Sequence, residues 1–305
     1  MVRQFAVIGV FLLAALPVFG LMPPDGDAQI RGGAGDSAIV ITTTRRLAGA
    51  IHSLKWNGHE FINSADHGRQ LQSAASFDNT PAANAETFNP TEAGSRRDGA
   101  GNASTSRLLE LAAAGNHLRT KTQMAFWLAP GERSEGQLAR NAGTLSDYLL
   151  TKDVTIGFGR WPQALDYRVT FTVPANAKNV YAQFEALTGY MPPEFDHFWE
   201  FNPQARKLQP LDYGPGEIKN PVVLATADGK YAMGIYSLNE KQADTSGPGY
   251  GRWYFDRARV AKWNCVFRVR SPKGILGGEY RYRMLVPVGT LAQVEAMLRD
   301  WRELK

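Results

Sequence analysis

The sequence predicts an all-β chain: many antiparallel strands in one large sandwich, with a single helix at the C-terminal end. Short runs rich in β-branched and aromatic residues recur between residues 38 and 288, bounded by Gly, Pro, Asn and Asp. The 30 glycines and 17 prolines among 305 residues suit many turns rather than disorder. Helical spacing of apolar residues is clear only after Thr290, where Leu291, Val294, Met297, Leu298, Trp301 and Leu304 recur on one face behind a good N-cap.

The chain opens with Arg3 and an apolar run from Phe5 to Met22, which reads as a secretory signal to be left out of fold reasoning. Small-residue cleavage patterns stand at 18–20 and 26–28. The second is preferred because a polar spacer precedes it, so the expected division is a signal peptide over 1–28, a flexible leader over 29–37 and one domain over 38–305. About 18 apolar residues also approach the length of a bilayer span. Membrane contact is therefore expected only through this segment, and only if it stays uncleaved. The expected location is the periplasm or the exterior.

Residues 38–44 and 48–56 read as strands, and Asn57-Gly58 marks a tight hairpin into 60–62. Residues 77–106 are poor in apolar side chains and read as a long loop, a length that compact domains usually keep for function. Strands then resume at 107–113, 117–128, 149–158, 165–173 and 180–187, and again at 222–226, 231–237, 252–255, 260–269 and 279–288. The Leu- and Ala-rich run 107–113 also suits a short helix, although Gly115-Asn116 after it favours a hairpin corner.

Composition excludes several classes. Cys265 is the only cysteine, so no intrachain disulfide forms, and its strand-like setting makes it a small buried hydrophobe. The formal charge of +5 becomes +6 once Arg3, Asp25 and Asp27 are removed, yet Lys and Arg are scattered with no run that marks a nucleic-acid surface. The histidines lack metal-ligand spacing, no Gly-x-Ser-x-Gly is present, and Gly247 to Trp253 lacks the strand-to-helix setting of a phosphate loop. No metal or cofactor is expected.

Three polar clusters interrupt this β pattern. In the first, Asp66, His67, Arg69, Gln70 and Gln72 crowd seven positions where a buried strand normally carries Val or Ile. His67 suits proton transfer near neutral pH and Arg69 suits a carboxylate or a sugar hydroxyl. In an extended chain Asp66, Gln70 and Gln72 share one face. The second is Asn89-Pro-Thr-Glu92-Ala-Gly94 in the long loop, where Glu92 is an acid–base candidate and Asn89 a ligand. The third holds Tyr190, Glu194, Asp196, His197, Trp199 and Glu200. Flat rings stack on sugar faces, and carboxylates accept hydroxyl hydrogen bonds or move protons. Alternation sets Phe195, His197, Trp199 and Phe201 against Asp196, Phe198 and Glu200. Arg252 and Trp253 add a further pair behind a glycine-rich loop.

The opening run Gly49-Ala-Ile-His-Ser-Leu-Lys-Trp-Asn-Gly-His-Glu-Phe61 resembles the first strands of the galactose mutarotase-like superfamily, in which a Gly-x-Ile-x-x-Leu strand precedes a hairpin and a polar strand. The resemblance implies a β-supersandwich and a carbohydrate ligand. It places His67 and Arg69 where members carry polar site residues. The superfamily spans aldose epimerases, domains of polysaccharide lyases and glycoside hydrolases, and glycan-binding proteins. The epimerases' later His-x-Tyr-Phe-Asn-Leu pattern is absent here.

The leading expectation is an exported glycoside hydrolase. His67, Glu92, Glu194, Asp196, His197 and Glu200 are its catalytic candidates. Asp66, Arg69, Gln70, Gln72, Asn89, Tyr190, Trp199, Arg252 and Trp253 are its binding candidates. A polysaccharide lyase, a non-catalytic glycan-binding protein and an aldose epimerase are the alternatives. All enzyme readings require His67 and at least one of the acids to share a cleft.

Overall fold

The structure is a computed structural model that describes residues 24–33, 38–78, 83–239 and 245–304. Among the described residues twenty strands join in one hydrogen-bonded network, and every pairing is antiparallel. Two layers can be traced through it. One runs in order Ala28–Gly32, Ile39–Thr43, Ile51–Trp56, Leu71–Phe77, Tyr181–Met191, Val260–Arg270, Thr245–Phe255, Gly216–Ile218. The other runs Arg107–Ala114, His117–Phe126, Leu145–Phe158, Trp161–Val173, Gly278–Gly289. The two-residue strand Pro90–Thr91 bridges them, pairing with Leu71–Phe77 on one side and His117–Phe126 on the other.

Alternation builds the core. In Val260–Arg270 the residues Trp263, Cys265, Phe267 and Val269 are buried, and in Tyr181–Met191 so are Ala182, Phe184 and Met191. They meet Leu71 and Phe77, and Leu165, Phe171 and Tyr282 of the second layer. Cys265 is thus a buried core residue. The Leu-rich run 107–114 is a strand, and Asn57 and Gly58 take positive φ at the hairpin where Trp56 pairs with His59.

A smaller sheet of His197–Asn202, Lys207–Leu211, Val222–Ala225 and Ala232–Gly234 grows from the end of Gly278–Gly289. The helix Leu291–Trp301 covers it, burying Val294, Met297, Leu298 and Trp301 against Phe201, Val223 and Leu285. Thr290 and Gln293 form a reciprocal capping box that satisfies the first-turn amides. Leu304, expected on the apolar stripe, lies beyond the helix and is exposed.

The flexible leader expected over 29–37 needs correcting over 29–32, and its residues 34–37 lie outside the described residues. Ala28–Gly32 is a strand paired with Ile39–Thr43, and Ile30 is buried. Residues just before it are also tied down: Thr43 Oγ1 donates to the Gly26 carbonyl at 2.8 Å, and Asp27 accepts from the Arg45 amide at 2.8 Å. Residues 1–23 of the expected signal lie outside the described residues. The loop 77–106 also holds more structure than expected, with short 3-10 turns at Ala85–Phe88 and Arg96–Asp98.

Candidate functional site

The outer face of the first layer holds what the core does not. Register aligns its side chains in rows across the strands. Gln72, Thr188, Asn264 and Gly251 form one row, and Tyr190, Lys262 and Trp253 form the next. A bulge between Glu185 and Leu187 resets the alternation of its strand, so Glu185 and Thr188 both face outward although three positions apart. Gly251 leaves room that a Cβ would deny to Trp253 and the Asn264 amide, and Gly68 does the same for Trp127.

A cavity of about 150 Å³ opens here, lined by Gln72, Ser76, Glu86, Asn89, Trp127, Glu185, Thr188, Tyr190 and Lys262. At ~30 Å³ per water it is about five waters in size, enough for one small ring. Glu185 is its chemical centre. Thr188 Oγ1 at 2.9 Å, Asn264 Nδ2 at 3.3 Å and Lys262 Nζ at 3.5 Å all donate to Glu185 Oε2. Oε1 takes no hydrogen bond among the described residues. The Asn264 amide is itself oriented, because its Oδ1 accepts from the Gly251 amide at 3.0 Å.

Burial pushes the Glu185 carboxyl up, but the Lys262 ammonium and the Thr188 and Asn264 hydrogen bonds prevail and hold it below the usual carboxylate range. For Lys262 burial works against the charge, and Glu185 together with the Tyr190 hydroxyl outweighs it, leaving the ammonium's pKa above its ordinary value. Burial raises the Tyr190 phenol. At neutral pH the trio is therefore carboxylate, ammonium and protonated phenol. The ammonium also sits 4.8 Å from the Trp253 ring centre and 5.2 Å from that of Tyr190. Two buried polar atoms of the lining, Gln72 Oε1 and Ser76 Oγ, lack a hydrogen-bond partner among the described residues. Such atoms ordinarily find water or ligand.

The structure divides the sequence candidates. Gln72, Asn89 and Tyr190 line the cavity, and Trp253 flanks it through Lys262. Asn89 Nδ2 is committed to the Ala75 carbonyl. His67 is 1% exposed, with Nδ1 and Nε2 each 2.7 Å from a backbone carbonyl, Gly99 and Arg46 respectively. It ties two loops together and keeps no ring nitrogen for a ligand. Glu92 is fully buried, 2.5 Å from the equally buried Lys152, and its other oxygen accepts from the Ser73 amide. Neither residue lines the cavity, and both spend their polar atoms on contacts within the protein, which gives them structural roles in place of the catalytic ones expected.

Asp66 pairs with Arg69 at 3.2 Å, and Gln70 is sealed with its amide on the Asp66 carbonyl. Glu194 lies 3.6 Å from His59, and Asp196 pairs with His197 at 2.7 Å on the surface. Glu200 accepts from Asn220, and Trp199 packs in the group under the C-terminal helix. Arg252 is 8% exposed and clamps Asp212 and the Gly216 carbonyl. None of these lines the cavity. The extended run expected over 68–73 begins only at Leu71, where the strand Leu71–Phe77 follows a turn.

Sequence reasoning missed Glu185, Thr188, Lys262, Asn264, Ser76, Glu86 and Trp127. Polar residues at every second position of two otherwise apolar strands were the available signal: Gln183 and Glu185, then Lys262, Asn264 and Arg268.

No family model and no curated protein matches the chain. Solved structures do resemble it. One described as an aldose 1-epimerase from Escherichia coli K12 shares 11% identity at a TM-score of 0.46, covering 87% of this chain and 100% of that one. A heparan sulfate lyase from Pedobacter heparinus shares 11% at 0.44, over 87% of this chain and 35% of the lyase. An α-galactosidase from Lactobacillus brevis shares 8% at 0.43, over 87% of this chain and 39% of that one. Likenesses this distant leave the chemistry to be read from this chain's own site.

Proposed function

We propose that this chain is a carbohydrate-active enzyme that moves protons at a single sugar ring seated in the cavity, with Glu185 as the base. The observation that carries the reading is the asymmetry of that carboxylate: among the described residues three donors hold Oε2 and none holds Oε1. A general base has to be ionised, oriented and open on one side, and Glu185 meets all three conditions. Tyr190 keeps its proton and is the matching donor, with the Lys262 ammonium beside it.

Trp127 in the wall offers an apolar surface for the C–H side of a sugar, and Gln72 Oε1 and Ser76 Oγ take its hydroxyls. Glu185 accepts the proton of an anomeric hydroxyl as Tyr190 gives one to the ring oxygen. The ring bond then breaks, and reclosure on either face interconverts the anomers. Glycosidic cleavage is the second reading, favoured by Glu86, which puts a second carboxylate in the cavity wall. The proposal also places the activity outside the cytoplasm, on the strength of the apolar N-terminal segment.

The test sets the purified chain and a Glu185→Gln variant against a monosaccharide panel, with anomer exchange followed by NMR. Glycans are assayed in parallel for reducing ends and for absorbance from unsaturated products. Faster exchange that the variant lacks is the expected result. Release of reducing ends without exchange moves the assignment to cleavage, with unsaturated products marking a lyase. Binding with neither activity leaves a glycan-binding module.

A further inference from the structure

We propose that the outer face of the first layer continues from the Glu185 cavity into a second subsite, centred on Arg270 and Tyr181, that takes an anionic group of an oligosaccharide. The proposal rests on the sugar-ring reading of the cavity and extends it along the same strands.

The two places are joined by register. Ser76, which lines the Glu185 cavity, stands opposite Gln183, and Gln183 stands opposite Arg268. Arg268 in turn lines a second depression of about 540 Å³, together with Tyr181, Thr245, Ser246 and Arg270. From Glu185 to Tyr181 is four positions on one strand, ~13 Å at ~3.3 Å per residue. That is the reach of a short saccharide chain whose terminal ring occupies the cavity.

The charges there are unequal. Arg268 is spoken for: its guanidinium meets Glu217 at 2.5 and 2.8 Å and Gln183 at 3.0 Å, which fixes it in place. Arg270 is exposed and forms no ion pair among the described residues. Its guanidinium lies over the Tyr181 ring, 5.1 Å from the centre, a contact that positions the cation without pairing it with an anion. A planar cation over an aromatic face, beside the hydroxyls of Thr245 and Ser246, suits a carboxylate or sulfate carried on a sugar. Both present oxygens that a guanidinium can grip in pairs, so the uronate and the sulfate ester are separate arms of the test.

The experiment measures binding by calorimetry for the full chain, Arg270→Gln and Arg270→Lys. The probes are a uronate-containing oligosaccharide, its carboxyl-reduced neutral counterpart and a sulfated neutral oligosaccharide of equal length. The expected result is tighter binding of a charged probe than of the neutral one. Arg270→Gln should lose about tenfold on that probe alone, with Arg270→Lys intermediate. Whichever charged arm responds identifies the anion. Equal binding of neutral and charged probes, unchanged in Arg270→Gln, overturns the subsite and leaves the Glu185 reading standing. Absence of binding by any probe overturns both. Thermal melts of the exposed-site variants should coincide with that of the parent, so a loss reads as recognition rather than misfolding.

Discussion

Two of the Glu–Lys pairs among the described residues have opposite fates. Glu92 and Lys152 are both 0% exposed and share a 2.5 Å contact inside the protein. Glu185 and Lys262 are 25% and 14% exposed, 3.5 Å apart, at the wall of a cavity. The chemistry of the side chains is the same. In the first pair both carboxylate oxygens are bonded within the protein, one to Lys152 and one to the Ser73 amide. In the second, all donors crowd one oxygen. A carboxylate becomes available for chemistry when its surroundings leave part of it unsatisfied, and burial alone does not make one.

The sharpest test of that contrast is catalytic. Glu185→Gln should lower turnover per folded molecule by about 10²–10⁴-fold, beside a loss of stability from removing the Lys262 counter-ion. A variant with full activity would break the comparison. The converse holds for the sealed pair. Glu92→Gln leaves the Lys152 charge buried without a counter-ion and should cost ~3–5 kcal/mol in urea unfolding. Adding Lys152→Met should recover most of that loss, and failure to recover would show that the pair does more than cancel charge.

His67→Gln comes next. One carbonyl of the two that the imidazole faces loses its donor, for about 1–3 kcal/mol of stability, and turnover per folded molecule should stay at the parental level. A fall in turnover would return His67 to the mechanism.

The smallest expected effect is a shift in pH dependence. Glu185 is held below the usual carboxylate value of 4.5. Its contribution to stability is thus present above the unfolded-state pKa and is lost as pH falls through the lower, folded one. Activity that needs the carboxylate should likewise fall only below pH 4.5, and the raised Tyr190 keeps the alkaline limb above 10. In Lys262→Met the ammonium's attraction is gone and burial is left to act, so the acid limb should move to higher pH in a rate profile.

These residues also show where reading a sequence succeeds. Strand alternation is local, so the apolar half of Val260–Arg270 and Tyr181–Met191 was legible as core, and Thr290 with the spacing behind it announced the helix. Glu92 and His67 attracted notice because they sit in dense polar stretches. Density along the chain, however, says nothing of what will surround a side chain. Lys152 is 60 positions from Glu92, and the carbonyl facing His67 Nδ1 is 32 positions away. Glu185 and Lys262 looked like ordinary outward-facing strand residues, 77 positions apart.

By itself the sequence determined the all-β class, most strand positions, the capped C-terminal helix and the absence of disulfides. These follow from periodicity, turn chemistry and composition, which act over a few residues. Only the tertiary structure decided which polar residues are sealed and which share a cavity. Register across the central strands and the bulge after Glu185 bring Gln72, Glu185, Tyr190 and Lys262 together, and such pairings are set by how distant strands pack.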